Sequence, residues 1–518
     1  MVLRHHNSKK LAIISVSDKT GIDNFAKKLI DNNYRILSTG GTADFLTSKR
    51  INNISIADFT DFDEILEGRV KTLHPKIHAG ILAKNQKLLD EIKNSSYMAI
   101  DLVVVNLYPF EKTINKKNST FNMAIENIDI GGPTMLRAAA KNHQRVTVIT
   151  DPNDYEKILE EINRHGKTKP KTRLDMAIKA FEKTARYDSI ICDYLNPNNK
   201  KFPEKINITM EKLNNLRYGE NPHQEAALYD IAAPIYDNFN FEQLSGKDLS
   251  FNNIVDTESA LACVRQFDKP ACVIVKHANP CGVSESTDLL SAYNRAYKTD
   301  PISAFGGIIA FNKIVDAKVL KKILSQQFVE VIIAPGFKNL CLDLIKKKPN
   351  IRLLKSSKVK NDKVSYELKS LGNKLLLQNK DDIKLKNSDL RFVTKKRPTK
   401  SQIEDLIFAF KVARYVKSNA IVFVKNKKTL GIGAGQMSRI DSTKIAQMKA
   451  RRHKLSLKGS VMASEAFFPF RDNVDLAKKI GVSSIIQPGG SIKDTEIIKI
   501  VDKHKMSMVF SGIRVFKH

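Results

Sequence analysis

The segment Val273–Gly282, VIVKHANPCG, places three kinds of reactive side chain close together. Its apolar run stops at Lys276, and His277, Asn279 and Cys281 follow within five residues. This order is typical of a strand that delivers polar residues to a site. The chemistry could be that of a cysteine nucleophile, of a histidine base or of a pair of metal ligands.

Cysteine usage argues against a disulfide framework and against structural zinc. The chain has five cysteines, and no two of them have the two-residue spacing of common zinc sites. Zinc-dependent deaminases carry a His-x-Glu and a Pro-Cys-x-x-Cys signature. Pro280 and Cys281 match only the start of the second part. We therefore predict that the chain holds no catalytic metal.

Two segments in the first hundred residues have the chemistry of anion sites. Ser38–Thr42, STGGT, lies between a predicted strand and a predicted helix, where glycines allow close backbone approach and N–H groups can face a phosphate. Glu67–Gly80 carries five basic side chains, and Pro75 argues against an uninterrupted helix there, so we expect a cationic loop. The alternatives are a plain turn for the first segment and a solvated basic loop for the second.

A third segment, Asn127–His143, combines a carboxylate, a glycine pair and a predicted helix. Asp129 and the glycines come just before Pro133, which suits the first turn of a helix. Lys141 lies two turns beyond Thr134. A buried lysine with a lowered pKa can transfer protons, whereas an ordinary lysine on the helix surface is the alternative.

Polar and glycine-containing segments also occur in the second half of the chain. Leu216–Gln224 combines a cation, an aromatic ring, a turn and a histidine, and Gly431–Arg439 has the composition of a weak phosphate loop. Ala463–Asn473 sets three phenylalanines beside Asp472, which suits a flat heterocycle with ring N–H groups. Core packing of these aromatics is the alternative.

Strands and helices must position all of these segments. In the first 150 or so residues, apolar runs of strand length alternate with helical spacing, which predicts a parallel sheet covered on both faces. The alternation resumes after the polar segment Asn196–Lys205, a predicted linker. We predict an α/β protein with domains at 1–198 and 199–518, the second holding two subdomains with a boundary near 345–390. No short repeat is visible.

The charge of the chain leaves an alternative function open. There are 86 lysines and arginines against 55 aspartates and glutamates, a net charge of +31. A basic nucleic-acid-binding α/β protein would have such a balance. However, the basic residues are spread along the chain, there is no tryptophan, and no basic patch is interleaved with aromatics. A basic field also suits small polyanionic substrates. The lysine-rich segment 346–386 is assigned no function.

The hydropathy pattern predicts neither a membrane span nor a secretory leader. No run of eighteen apolar residues occurs, and the apolar run near the N-terminus is short and lacks a cleavage pattern. We therefore expect a cytoplasmic protein.

Taken together, the motifs resemble one family, the bifunctional purine biosynthesis proteins. In this family a phosphoribosylaminoimidazolecarboxamide (AICAR) formyltransferase is fused to an IMP cyclohydrolase. The resemblance runs from about Leu11 to His518 and is carried by SVSDKTG, STGGTA, GRVKTLHPKIHAGIL, NLYPF, IDIGG, LRAAAKNH, RYGENPHQ, VKHANPCG, GIGAGQMSRI, AFFPFRDN and QPGG. It implies an N-terminal domain like methylglyoxal synthase and two C-terminal subdomains like cytidine deaminase without its zinc.

The resemblance also implies two reactions. The C-terminal part transfers a formyl group from 10-formyltetrahydrofolate to AICAR, giving FAICAR. The N-terminal part closes FAICAR to IMP with loss of water. The partners are therefore small molecules (AICAR, FAICAR and folate), and the family resemblance further implies a homodimer that binds no nucleic acid and no membrane.

For the cyclohydrolase, the resemblance assigns residues by motif. Lys71, Tyr108, Asp129 and Lys141 are expected around the closing ring, with Lys141 favoured as the proton-transfer residue. The substrate is expected to contact Ser17, Asp18, Lys19, Thr39, Gly40, Gly41, Thr42, Arg69, Thr72, Asn106 and Ile130.

For the transferase, the poorly nucleophilic amine of AICAR needs a base, and His277 is chemically suited, with Lys276 stabilising the oxyanion. The resemblance places AICAR at Arg217, Tyr218, Gly307, Asn419, Arg439 and Arg514. It places folate at Ile440, Phe467, Asp472, Ser491 and Ile492. The family varies at Cys281, so a role for this thiol in the reaction is not expected.

Overall fold

The computed structural model describes residues 10–66, 69–196, 202–231, 239–357 and 366–518. The chain forms two compact units, Met1–Glu211 with Ile231–Ala233 and Lys212–Asp230 with Pro234–His518. The predicted boundary at 198/199 lies outside the described residues, as do parts of the predicted linker and of the lysine-rich segment, so these boundaries stay predictions.

A sheet of five parallel strands forms the centre of the first unit, in the order β3-β2-β1-β4-β5. Leu11, Ile13 and Ile14 of the central strand are fully buried, because helices cover both faces of a parallel sheet. The parallel α/β fold predicted for this region is confirmed. The strands are β1 Lys10–Val16, β2 Tyr34–Ser38, β3 Ile54–Ser55, β4 Leu102–Asn106 and β5 Thr147–Ile149.

Ten helices of the described chain belong to this unit. One of them lies partly where a loop was expected, and two begin at other residues than expected. They are α1 Ile22–Asp31, α2 Gly40–Ser48, α3 Ile56–Thr60, α4 Pro75–Leu82, α5 Gln86–Asn94, α6 Phe110–Ile114, α7 Phe121–Glu126, α8 Gly131–Lys141, α9 Tyr155–His165 and α10 Pro170–Leu195. The end of the expected cationic loop is helix α4, because Pro75 occupies its first turn, where a proline is tolerated. Helices α2 and α8 each begin at the glycine pair itself.

The second unit contains two six-stranded sheets with the same strand order. The first has the order β10-β9-β11-β12-β13-β8, and the second has the order β18-β17-β19-β20-β21-β16. Each begins with an antiparallel hairpin, continues with three parallel strands and ends on an antiparallel strand. The two α/β subdomains implied by the resemblance therefore share one topology, a repeat that the sequence does not show.

The remaining strands are β6 Met210–Asn215, β7 Ala227–Ile231, β8 Phe241–Ser245, β9 Ala271–Lys276, β10 Asn279–Glu285, β11 Gly307–Phe311, β12 Val329–Ala334, β13 Arg352–Ser356, β14 Tyr366–Leu371, β15 Lys374–Asn379, β16 Arg391–Phe392, β17 Ile421–Val424, β18 Thr429–Gly433, β19 Val461–Ser464, β20 Ser484–Gln487 and β21 Ser507–Phe510. The helices are α11 Phe251–Val264, α12 Leu289–Tyr297, α13 Pro301–Ala304, α14 Ala317–Gln326, α15 Asn339–Lys346, α16 Lys400–Ala413, α17 Arg439–Arg452, α18 Asp472–Ile480 and α19 Asp494–Lys503. Apolar residues of α11 and α16 share one core with both sheets, for example Leu261, Val273, Leu406 and Val422.

Glycines allow each hairpin to lie directly on the helix that follows it. A Cβ atom on Gly282 would be 2.1 Å from the Ala296 oxygen of α12, and one on Gly431 would be 2.3 Å from the Ala446 oxygen of α17. Gly431 and its neighbour Gly433 lie in strand β18, and a Cβ on either would strike α17. Helix packing therefore accounts for these two glycines of the expected phosphate loop.

We expect Gly431→Ala to destabilise the protein by about 1–3 kcal/mol, because the new methyl group must displace the backbone of α17. Gly336→Ala is the matched control, since its Cβ would make only an ordinary 3.7 Å contact with Ile314. Urea unfolding of both variants measures the difference. Equal midpoints for the two variants would contradict the close packing of β18 on α17.

Candidate functional site

The carboxyl ends of strands β1, β2 and β4 gather most of the polar residues expected in the first unit. Ser17 follows β1, Thr39 precedes helix α2, and Asn106 is the last residue of β4. Because the strands are parallel and adjacent, their carboxyl ends lie along one edge of the sheet, the usual place for a ligand in such folds.

The Asn106 amide group joins the ends of β1 and β4. Its Oδ1 accepts hydrogen bonds from the backbone N–H groups of Ser17 at 2.6 Å and Asp18 at 2.9 Å. Its Nδ2 donates to the Asp18 oxygen at 3.0 Å, and the Ser17 hydroxyl donates to the Leu107 oxygen at 2.8 Å. Asn106 therefore holds the segment after β1 in place, and Lys19 directs its ammonium group back to the Val16 oxygen at 3.5 Å.

The N-terminus of helix α2 meets a lysine. Thr42 fixes the helix to β1, since its hydroxyl bonds both the N–H and the oxygen of Val16, at 3.1 and 3.0 Å. Gly40 begins the helix, and a Cβ there would lie 3.1 Å from Lys71 Nζ. The first N–H groups of a helix have no partner within it. The ammonium group of Lys71 and the start of α2, with Gly41, thus form a positively polarised pocket wall suited to an anion.

The N-terminus of helix α8 brings in a carboxylate. Asp129 Oδ1 accepts from the Gly132 N–H at 2.8 Å. Burial raises the pKa of Asp129, opposed by the N–H groups of Gly132 and Tyr108 and by the charge of Lys71. Gly131 lies so close to the buried Thr72 that a Cβ would be 2.3 Å from its hydroxyl oxygen. Lys71, Thr72 and Asp129, here called the α8 cluster, are therefore neighbours.

Three other predicted residues lie at the exposed rim of this edge. Tyr108 is 49% exposed and Ile130 is 57% exposed, so both side chains are accessible from solvent. Arg69 is exposed and forms an ion pair with Glu126.

The structure does not bring Lys141 to the α8 cluster. Lys141 is the last residue of α8, and a helix of 11 residues is about 15 Å long. Gly131, at the other end of the helix, touches Thr72. The amide of the next residue, Asn142, bonds the Ile81 and Ala83 oxygens at the far end of α4. Lys141 therefore lies at the other end of α8 from this cluster, and its role in proton transfer stays a prediction.

Tyr187 on α10 is a member of the site that the sequence did not reveal. Its hydroxyl accepts from the Asp129 N–H at 2.8 Å and donates to the Asn127 oxygen at 3.3 Å. Burial raises the pKa of Tyr187 to about 12, so the phenol stays protonated at neutral pH. Sequence spacing could not find it, because 58 residues separate it from Asp129.

In the second unit, Lys276 and His277 lie at the turn between β9 and β10. His277 is exposed, and Lys276, half-buried, donates from Nζ to the Phe305 and Gly306 oxygens at 3.2 and 3.0 Å. Gly307, the next residue, begins β11. The turn therefore presents an imidazole beside an ammonium group whose position is fixed.

Hydrogen bonds connect this turn to the residues expected around AICAR. Asn279 Oδ1 accepts from the Lys417 N–H at 2.9 Å. Two residues on, the Asn419 amide donates to the Gln436 and Met437 oxygens at 2.8 and 3.1 Å. His277 and Asn419, distant in sequence, are thus held in one region.

Arg439 is largely buried in an ion pair. Its Nη2 contacts Glu465 Oε1 at 2.8 Å, and its Nη1 donates to the Phe467 oxygen at 3.1 Å. The Glu465 backbone oxygen in turn accepts from Val515 N–H at 3.0 Å, next to the exposed Arg514. Arg439 therefore supports the region with its charge already neutralised, whereas Arg514 remains exposed.

The residues expected to bind folate lie in the loops and helix ends near Arg439 and further along the chain. Ile440 adjoins Arg439, and Asp472 is exposed at the start of α18, bonding the Asn473 N–H at 2.7 Å. Ser491 donates from its N–H to Asp494 at 3.2 Å, and Ile492 is fully exposed.

Arg217 and Tyr218 lie near the start of α11. The Arg217 guanidinium is over the Tyr218 ring, 5.4 Å from its centroid, and the Tyr218 oxygen accepts from the Phe251 N–H at 3.4 Å. The exposed guanidinium is available to an anion.

Cys281 is a packing residue in the structure. Its side chain is buried, and burial raises the pKa of the thiol to about 12. A thiol with this pKa is almost fully protonated at neutral pH and is a poor nucleophile.

Two protein-family models match the chain. The MGS-like domain matches residues 21–134, and the AICARFT/IMPCHase bienzyme matches residues 139–449, more than half of the chain. The chain belongs to the AICARFT/IMPCHase bienzyme family. A solved structure titled "Crystal structure of ForH" is 35% identical to this chain, of which it covers 35%, and 96% of that chain is covered. Its TM-score of 0.32 supports no statement about a shared fold.

As a member of the AICARFT/IMPCHase family, the chain is a bifunctional enzyme of purine biosynthesis, with formyltransferase and cyclohydrolase activities. The family uses a formyl-folate co-substrate and small-molecule substrates. Membership in an enzyme family favours this function over the nucleic-acid-binding alternative. Across the described ranges, no helix is long and apolar enough to cross a membrane, and no group of three or more His, Cys, Asp or Glu side chains is placed to hold a metal ion.

We expect Tyr187→Phe to slow FAICAR closure about tenfold, because loss of the hydroxyl releases the Asp129 backbone from its anchor. Formyl transfer to AICAR should not change. Tyr194→Phe is the control, since Tyr194 is on the same helix and packs on Phe110 as Tyr187 does. Steady-state kinetics of each half-reaction measure the effect, and equal closure rates in both variants would contradict the anchoring role.

Proposed function

We propose that FAICAR closes to IMP at the α8 cluster and that formyl transfer to AICAR takes place at the Lys276–His277 turn. The observation that carries the first assignment is the meeting of Lys71, Thr72 and Asp129 at the N-termini of two helices. The second rests on the exposed imidazole of His277 beside the anchored ammonium group of Lys276.

In the cyclohydrolase, the phosphate of FAICAR would bind at the start of α2. The N–H groups of Gly40 and Gly41, the Thr42 region and the Lys71 ammonium group favour negative charge there. Arg69 and Lys19 add positive charge at the rim, and Ser17, Asp18 and Asn106 are placed to orient the ribose and the ring.

Ring closure joins two groups of one molecule, so positioning supplies much of the rate. The carboxamide nitrogen attacks the formyl carbon and loses one proton, and the formyl oxygen gains one to become a hydroxyl. This hydroxyl leaves as water with a second proton, while the former formamide nitrogen loses its proton and the C=N bond of the ring forms. Lys71 is the cation beside Asp129 and can stabilise the developing oxyanion and deliver the proton. Asp129 and Tyr108 would hold the carboxamide. We therefore transfer to Lys71 the role first expected of Lys141.

In the transferase, the amine of AICAR attacks the formyl carbon of 10-formyltetrahydrofolate. His277 accepts the amine proton, Lys276 stabilises the tetrahedral oxyanion, and the bond to folate N10 breaks as that nitrogen gains a proton. The exposed guanidinium groups of Arg217 and Arg514 are suited to the phosphate of AICAR.

The folate would lie beyond Asn419 and Arg439, against Ile440 and Phe467. Asp472 would accept hydrogen bonds from the pterin, and Ser491 and Ile492 would also contact it. The homodimer, the cytoplasmic location and the absence of a catalytic metal stay predictions.

We expect Lys71→Ala to slow FAICAR closure by about 10²–10⁴, the usual range for loss of proton transfer, whereas Lys141→Ala should change it less than threefold. The structural reason is that Lys71 adjoins Thr72, which lies against Gly131 at the start of α8, whereas Lys141 is the last residue of that helix. Absorbance of IMP formation from synthetic FAICAR measures both. The reverse order of the two variants would return the role to Lys141.

Substitution of the base should separate the two activities. We expect His277→Ala to lower formyl transfer by about 10²–10⁴ while FAICAR closure keeps its full rate. Tetrahydrofolate release and IMP formation are followed independently. Loss of both activities in a folded His277→Ala variant, or full formyl transfer by it, would refute the two-site assignment.

A further inference from the structure

The turn that carries His277 has an unusual backbone. His277 and Ala278 both have positive φ, 52° and 57°, which non-glycine residues adopt infrequently. Two such residues in succession make the two-residue turn that suits a twisted hairpin. Asparagine, aspartate and glycine are the usual residues there, so the surroundings must hold this histidine and alanine in place.

A carboxylate from helix α11 provides that support. Asp256 accepts the Ala278 N–H on Oδ1 at 2.7 Å and the His277 N–H on Oδ2 at 3.3 Å. Ser259, one turn along α11, donates its hydroxyl to the Ala278 oxygen at 2.9 Å. Burial raises the pKa of Asp256, opposed by the two N–H groups and by the charges of His277 and Lys276.

The second sheet repeats this arrangement without the histidine. Asp405 is the sixth residue of α16, as Asp256 is the sixth of α11. It accepts the N–H groups of Asn426 and Lys427 at 2.8 and 2.7 Å, and these residues have φ of 54° and 53°. A carboxylate beneath the hairpin turn therefore belongs to the repeated fold, and the two copies differ in the side chains of the turn.

We propose that Asp256 is a positioning residue for formyl transfer, which aims the His277 imidazole by holding its turn and places a negative charge where the imidazolium forms. This rests on the proposed role of His277 as the base. Both Asp256 and Asp405 hold a hairpin turn, but only the turn held by Asp256 carries the proposed base. Asp405 thus offers a matched control within the same chain.

The test compares Asp256→Asn with Asp405→Asn in the full-length protein. Each substitution removes one charge and forces an amide N–H toward a backbone N–H. We expect Asp256→Asn to lower kcat of formyl transfer by about 10–100-fold, with a smaller change in the KM of AICAR. Asp405→Asn should stay within about twofold, at a similar shift of the thermal midpoint. FAICAR closure, performed by the other unit, should be unchanged in both.

The outcomes distinguish the inference from its premise. Full formyl transfer by His277→Ala overturns the base, and the inference with it. An inactive His277→Ala together with equal kcat in Asp256→Asn and Asp405→Asn overturns the positioning role alone. If Asp256→Asn does not fold, Ser259→Ala loosens the same turn without a charge change. A lower kcat at an unchanged midpoint then supports the inference, and an unchanged kcat overturns it.

Discussion

A carboxylate that accepts two backbone N–H groups of a hairpin turn is the interaction on which the second unit depends. It occurs under both hairpins, from the same position of the helix that precedes each of them. Because it gives both N–H groups of the turn a partner on the preceding helix, it ties the turn to that helix. The strands paired to the hairpin, and the loops that follow those strands, are positioned in consequence.

In the first unit, a side-chain amide fixes the backbone next to the site. Asn106 links the end of β4 to the segment after β1, so that neighbouring strand ends behave as one rigid edge. Two helix N-termini then open onto that edge, with Asp129 bonded to the start of α8 and Lys71, which is ion-paired with Glu64 at 3.8 Å, near the start of α2. One unit therefore builds its site on the ends of parallel strands, and the other on the tip of an antiparallel hairpin.

Much of this arrangement follows from the sequence, because apolar runs identify buried strands and polar residues at their ends identify the edge of a parallel sheet. His277, however, lies at the tip of an antiparallel hairpin and Lys71 lies before α4, so this reasoning does not place them, and the roles of Lys71, Asp129 and His277 stay predictions. Lys141 shows its limit, since a motif gives proximity along the chain, while a helix carries its last residue about 15 Å away. Arg439 shows another, because an arginine suited to an anion is already paired with Glu465.

The family resemblance implies two similar subdomains, but the residues themselves show no repeat between the two sheets, and the reason is physical. What the copies share is strand order, glycines under the hairpins and one carboxylate in each helix, and little of this constrains the remaining side chains. The sequence also gives no sign of the contact between Tyr187 and Asp129, because only the fold brings the Tyr187 hydroxyl to the Asp129 N–H.

The hairpin of the second sheet shows which part of this arrangement belongs to the fold and which part belongs to the chemistry. Its two peptide N–H groups are held by a carboxylate, as in the first hairpin, and the Lys427 side chain adds ion pairs with Glu404 and Glu285 at 2.9 and 3.4 Å. The same backbone support thus carries a histidine and an alanine in one hairpin and an asparagine and a lysine in the other. The identity of the side chain, and not the geometry of the turn, is what distinguishes the two hairpins chemically.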